Sequence, residues 1–216
     1  MRALKRFSRP LFMAVVFGAI VSAQSIARLA HAAPASAGNQ QTAVFSGGCF
    51  WGVDAVFKHV KGVMKVVSGY AGGSMPNPTY EMVSTGATGY AESVEVTYDP
   101  AKVSYQQLLK VFFLVAHDPT ELNRQGPDEG TQYRSAIFYT NPEQEREARK
   151  YISDLERRKA FSSPIVTQVL PLKQFYPAEQ YHQNFLERHP DNPYIVYNDL
   201  PKLEHLRTSC PDLYKQ

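Results

Sequence analysis

Between residues 42 and 189, short apolar runs alternate with stretches of helical periodicity. "TAVFS" (42–46) predicts a strand that breaks at Gly47-Gly48, and Cys49 to about His59 predicts a helix burying Trp51, Ala55 and Val56. "VMKVVSGY" (63–70) reads as a second strand, followed by the glycine- and proline-rich loop "AGGSMPNPTY" (71–80). "AESVEVTYD" (91–99) alternates with period two, placing Ser93, Glu95 and Thr97 on one face and Val94, Val96 and Tyr98 on the other. Ser104 with Gln107 forms a capping box opening the helix "YQQLLKVFFLVAH" (105–117).

"DPTELNRQGPDEGTQY" (118–133) is polar and aperiodic, and "RSAIFYT" (134–140) is strand-like. Asn141-Pro142 opens a helix carrying Ala148, Tyr151, Ile152 and Leu155 at i, i+3, i+4 and i+7. A further strand, "IVTQVLPLKQF" (165–175), and a final helix, "AEQYHQNFLERH" (178–189), follow, and the tail from Asp191 reads as irregular. Strands mixed with three or four helices predict an α+β or α/β domain. Its two long loops exceed the usual ~2 to 6 residues and are expected to build a site.

The N-terminus has a different character. Four basic residues in "MRALKRFSRP", the 13-residue apolar run "LFMAVVFGAIVSA" and the small-residue stretch "ARLAHAAPASAG" predict a secretory signal peptide over 1–32, cleaved after Ala30-His31-Ala32. The run is shorter than the ~20 residues a membrane span needs. Residues 33–41 read as a flexible leader, and 42–216 as one domain with an irregular tail. Without the signal the charge changes from +3 to −2, so the chain offers no basic cluster for nucleic acid or an anionic membrane. Its two cysteines make no disulfide scaffold, and no ligand spacing suggests a metal. The expected location is exported, periplasmic.

Candidate chemistry centres on "GGCFWG". Cys49 falls in the first turn of its helix, where the dipole favours a thiolate, and the glycines allow close backbone approach. His59 lies ten residues on, about 15 Å away along a helix, and nothing in the sequence brings His117 or His182 close. Glu92, at a loop–strand junction, is the better acid–base candidate, with Tyr80, Asp128 and Tyr133 in the long loops.

"GGCFWG", "VSGYAGG…NPTYEMVSTGATGYAESVEVTYDP", "HDPTELNRQGPDEGTQYRS" and "AEQYHQNFLERHP" together resemble, in order, the blocks of the A-type peptide methionine sulfoxide reductases, over about residues 43–200. The resemblance implies a two-layer α/β sandwich with a split βαβ, ferredoxin-like core. It also implies stereospecific reduction of methionine S-sulfoxide, free or in proteins, by sulfenic acid chemistry in protein repair. Carried over by position, Cys49 is the nucleophile, Glu92 the acid, and Tyr80 and Tyr133 the hydroxyl donors. Asp128 is a supporting polar residue, and Phe50 with Trp51 forms the pocket for the substrate methyl. The family implies no prosthetic group or metal, only an external thioredoxin-like or dithiol reductant. Two positions depart from the pattern: Tyr90 stands where the family most often has His, and Cys210 sits in an unfamiliar tail as a possible resolving cysteine. A cysteine hydrolase or acyltransferase, or a non-catalytic domain bridging Cys49 to Cys210, are the rival readings.

Overall fold

The computed structural model describes residues 40–215, so the expected signal peptide and nearly all of the leader lie outside the described residues. Eight strands form: β1 (Gln41–Ser46), β2 (Val63–Ala71), β3 (Ala91–Tyr98), β4 (Arg124–Gln125), β5 (Asp128–Glu129), β6 (Ala136–Tyr139), β7 (Gln168–Pro171) and β8 (Phe175–Pro177). Six make one sheet in the order β7-β6-β1-β3-β2-β8, while β4 and β5 pair as a small separate hairpin. The main sheet is antiparallel except between β6 and β7. Helix α1 (Phe50–Lys58) joins β1 to β2, and β3 lies between them, so the βαβ unit is split.

The period-two pattern of β3 sets the layering. Val94, Val96 and Tyr98 face the main core, where α1, α3 (Tyr105–Val111) and α4 (Pro142–Arg157) contribute Val53, Leu108, Leu109 and Leu155. The Ser104–Gln107 capping box is present in both directions, and α3 runs on as a π-helical turn, Phe112–Ala116. α1 is buried nearly all round rather than along one stripe, because the sheet covers one side and the tail helix the other.

Four segments differ from the sequence expectation. "LPLKQF" lies outside any single strand: β7 pairs with β6 at one edge, β8 pairs with β2 at the other, and Leu172 and Phe175 pave the second sheet face over Val44, Ala71, Ala136 and Phe138. The expected last helix breaks into a 3-10 turn (Gln180–His182) and α5 (Phe185–Arg188), with Asn184 at φ 53°. The Gln183 side chain causes this by bonding both Ser68 N (3.0 Å) and Ser68 O (2.8 Å) at the edge of β2. A short helix, α2 (Tyr80–Ser84), forms at the end of the glycine-rich loop. The tail is ordered too, as a π-helical turn (Ile195–Asp199) leading into α6 (Leu200–Ser209).

Candidate active site

The strand β1 ends at Ser46, and Gly47-Gly48 turns the chain into α1 with Gly48 at φ 89°, which favours glycine. Cys49 is the N-cap residue of α1, one position before the expected first turn, and its side chain leaves the Phe50 N–H without a partner. Glu92 supplies the missing partner. It shares strand parity with Val94 and Val96, so its carboxyl projects into the core, and Oε2 accepts the Phe50 N–H at 3.0 Å. An orphan donor of the helix is thereby satisfied by an acid 42 residues away, which seats that acid beside Cys49.

Burial dominates the electrostatics. Glu92 is 2% exposed, and desolvation pushes its pKa from 4.5 to about 8; the Phe50 N–H opposes this and Asp128 reinforces it. Glu92 is therefore a neutral carboxylic acid at pH 7. Cys49 corrects the sequence expectation. Its thiol is raised well above the ordinary value by burial first, then by Glu92, Asp199 and Asp128, and the Trp51 backbone N–H only partly counters them. One turn of helix dipole does not outweigh desolvation among three carboxyl groups, so the resting residue is a thiol.

The long loops deliver the remaining side chains. Tyr80 is the first residue of α2, Tyr133 ends the 3-10 turn Thr131–Tyr133, and Asp128 lies in β5. Burial raises both tyrosine hydroxyls, with Glu92 the next cause for each, and Cys49 also acts on each. Tyr80, Tyr133, Glu92 and Cys49 thus share one electrostatic neighbourhood. Asp128 Oδ2 accepts a short hydrogen bond from the Tyr194 hydroxyl; burial raises the Asp128 carboxyl, while Tyr194 and Lys202 pull it down.

The aromatic pair divides its labour. Phe50 is fully buried against Tyr70 and His182, with ring centroids 6.0 and 5.0 Å away, so it backs the site rather than facing solvent. Trp51 is half-buried, stacked on Phe185 at 3.7 Å, edge-on to Tyr194 at 5.9 Å, and pinned by its indole N–H donating to His182 Nδ1 at 3.1 Å. Of the two, Trp51 is the wall with surface to offer. His182, which nothing in the sequence brought close, lies in the site, and Tyr194 and Asp199 were not singled out from sequence. The last two sit in the aperiodic tail, and nothing in a one-dimensional pattern places that tail over α1.

Cys210 is buried at the far end of the fold. Asp199, the N-cap residue of α6, sets its Oδ1 against Gly52, and the chain beyond α6 is tied to the end of α1 by Lys61 N bonding Leu213 O (2.7 Å) and Lys215 N bonding His59 O (2.8 Å). α6 therefore runs alongside α1, and Cys210 follows α6 toward the end of α1 opposite Cys49. Both cysteines are buried and free, with no bridge between them in this structure. His117 and His59 also fail as bases, whereas His182 does lie in the site, its ring 4.4 Å from that of Tyr80 and 5.0 Å from that of Phe50. His117 engages both ring nitrogens, with Phe112 O (2.9 Å) and Ser135 Oγ (2.7 Å), and burial lowers its pKa to about 4. His59 Nδ1 is occupied by Ala55 O at 2.8 Å. Tyr90 fills the position where His was expected by donating its hydroxyl to Met75 O at 2.5 Å, anchoring the glycine-rich loop.

Comparison with known proteins agrees with this geometry. The curated sequence "Peptide methionine sulfoxide reductase MsrA 2" of Mesorhizobium japonicum is 58% identical over 86% of this chain and 93% of its own length. That of Pasteurella multocida, "Peptide methionine sulfoxide reductase MsrA", is 49% identical over 81% and 99%. The solved "Methionine sulfoxide reductase A of Corynebacterium diphtheriae" superposes with a TM-score of 0.67 at 39% identity, covering 70% of this chain and 76% of that one. Residues 41–212 match the family described as "Peptide methionine sulfoxide reductase", and the chain belongs to that family.

Proposed function

We propose that the protein reduces the S epimer of methionine sulfoxide, free or in proteins, through a sulfenic acid on Cys49, and so repairs oxidised proteins. The observation that carries this reading is a buried, neutral Glu92 held beside the Cys49 thiol by the Phe50 N–H. A sulfoxide sulfur is a poor electrophile until its oxygen is protonated or strongly hydrogen-bonded. Glu92 donates its proton to that oxygen while Tyr80 and Tyr133 hold it with their hydroxyls. A bond forms between the Cys49 sulfur and the protonated sulfoxide oxygen as the substrate S–O bond breaks, so the oxygen ends on Cys49 as the sulfenic acid and methionine leaves with the electron pair of the broken bond. The Cys49 proton replaces the one Glu92 gave, so the acid is restored. Trp51 receives the S-methyl group, and Asp128, fixed by Tyr194, supports the polar side.

Recycling then falls to an external dithiol of the thioredoxin type, which takes the sulfenic oxygen as water and leaves as a disulfide. A buried Cys210 with no bridge to Cys49 supports a cycle without it. No metal or prosthetic group enters any step. The basic start, apolar run and Ala30-His31-Ala32 support export, with cleavage before Ala33 and a periplasmic location.

The test is intact mass of the reduced protein from Ala33 onward after one equivalent of each sulfoxide epimer without reductant. A gain of about 16 Da with the S epimer alone, absent in Cys49→Ser, is expected for the sulfenic acid. A loss of about 2 Da would instead mean a disulfide and overturn the assignment of Cys210 as a bystander. No change with either epimer would overturn the site.

A further inference from the structure

Tyr80 opens a helix of only five residues at the end of a loop containing Gly72, Gly73, Pro76 and Pro78. A helix that short has no stability of its own, so its position depends on outside contacts. The far end is tied by Gln132 Nε2 to Ser84 O (3.3 Å) and by Thr131 Oγ1 to Gly86 O (2.8 Å). The near end is capped by Thr79, packs the Tyr80 ring on His182 (centroids 4.4 Å), and is hydrogen-bonded to the rest of the fold by one carboxylate. Glu179 Oε1 accepts the Tyr80 backbone N–H at 2.9 Å, and Oε2 accepts the Tyr70 hydroxyl at 2.9 Å. Tyr70 stands opposite Glu92 in the β2–β3 ladder and packs its ring on Phe50.

The mount of Glu179 is firm. On one side Ala178 N bonds Ser68 O (2.9 Å), and on the other His182 N bonds Glu179 O (2.9 Å). We infer that Glu179 is a positioning residue: it fixes the start of α2 to β2 and so sets where the Tyr80 hydroxyl meets the sulfoxide oxygen. The inference rests on the reading of Tyr80 as a hydroxyl donor. Burial alone would raise the Glu179 carboxyl, but the bonds from Tyr80 N–H and the Tyr70 hydroxyl hold it below its ordinary value. It therefore serves at neutral pH as an ionised, doubly accepting clamp. A displacement of about 1 Å in a group touching the reacting atoms costs up to ~10²-fold in rate, which is the scale on which loosening this clamp acts.

The experiment is a double-mutant cycle on kcat with free methionine S-sulfoxide and dithiothreitol, using Glu179→Ala, Glu179→Gln, Tyr80→Phe and the Ala/Phe double variant. Glu179→Ala is expected to lower kcat by roughly 10- to 100-fold in the parent and by less than about threefold in the Tyr80→Phe background. Glu179→Gln keeps one oxygen for the Tyr80 N–H and turns its amide toward the Tyr70 oxygen, so kcat returns to within about threefold of the parent. Equal losses from Glu179→Ala in both backgrounds would overturn the positioning role while leaving Tyr80 as a donor. An unchanged kcat in Tyr80→Phe would overturn the donor reading and this inference with it. Should Glu179→Ala fail to fold, a Glu179→Gln variant as slow as Tyr80→Phe would overturn the clamp.

Discussion

Replacing Glu92 by glutamine separates the acid's chemical task from its structural one. The amide side chain keeps an oxygen for the Phe50 N–H but cannot ionise. In the parent, the Glu92 pKa is about 8 folded against 4.5 in the unfolded chain. Between those values the native state holds a proton that the unfolded state has lost, so stability falls as pH rises. At ~1.4 kcal/mol per pH step the whole window is worth at most roughly 5 kcal/mol, of which about 2 to 3 kcal/mol lies between pH 6 and 8.5. Glu92→Gln removes this dependence. Its melting temperature relative to the parent is expected to climb by about 5 to 10 °C over that range, at ~2 to 4 °C per kcal/mol for a domain of this size. Other titrating groups largely cancel in the comparison. Scanning calorimetry of both proteins at pH 6 and 8.5 reads the difference directly. Activity should move oppositely: Glu92→Gln loses ~10² to 10⁴ in kcat, and the parent declines as pH passes about 8 and the acid loses its proton. A stability difference between parent and variant that is constant from pH 6 to 8.5 would refute the buried neutral acid.

Cys210→Ser should recycle with dithiothreitol at the parent rate, since Cys210 is anchored near the opposite end of α1, while losing about 1 kcal/mol in urea denaturation for a hydroxyl in an apolar site. Gly52→Ala drives its Cβ into Asp199 Oδ1 and to 2.8 Å from Lys202 Nζ, so a loss of ~1 to 3 kcal/mol is expected by the same measurement. Tyr194→Phe removes the donor that holds Asp128 down, so Asp128 should titrate at higher pH, visible as an upward displacement of the acidic limb of kcat/KM.

Much of the scaffold was legible because it rests on local rules. The alternation in "AESVEVTYD" fixes which face of β3 enters the core, and it also sends Glu92 there, since its parity matches Val94 rather than Ser93. The Ser104–Gln107 box and the Asn141-Pro142 start are closed by residues within one turn and appear as expected. The double glycine marks a turn because Gly48 takes a positive φ. The blocks around Cys49, Tyr80, Glu92, Asp128 and Tyr133 named candidate members of a site without placing them.

Their placement required the tertiary structure. The break at Asn184 comes from Gln183 reaching Ser68, 115 residues away, and the charge state of Cys49 comes from burial and from Asp199 and Glu92 folded around it. Helical position alone suggested a lowered thiol, because the dipole is a local quantity and desolvation is not. The tail was unreadable for the same reason: α6 forms against α1, and that packing, not its own weak periodicity, decides its structure. The sequence determined which groups the protein owns and which way each strand presents them. Only the fold decided which are neutral and which touch, because solvation and distance are properties of the packed chain.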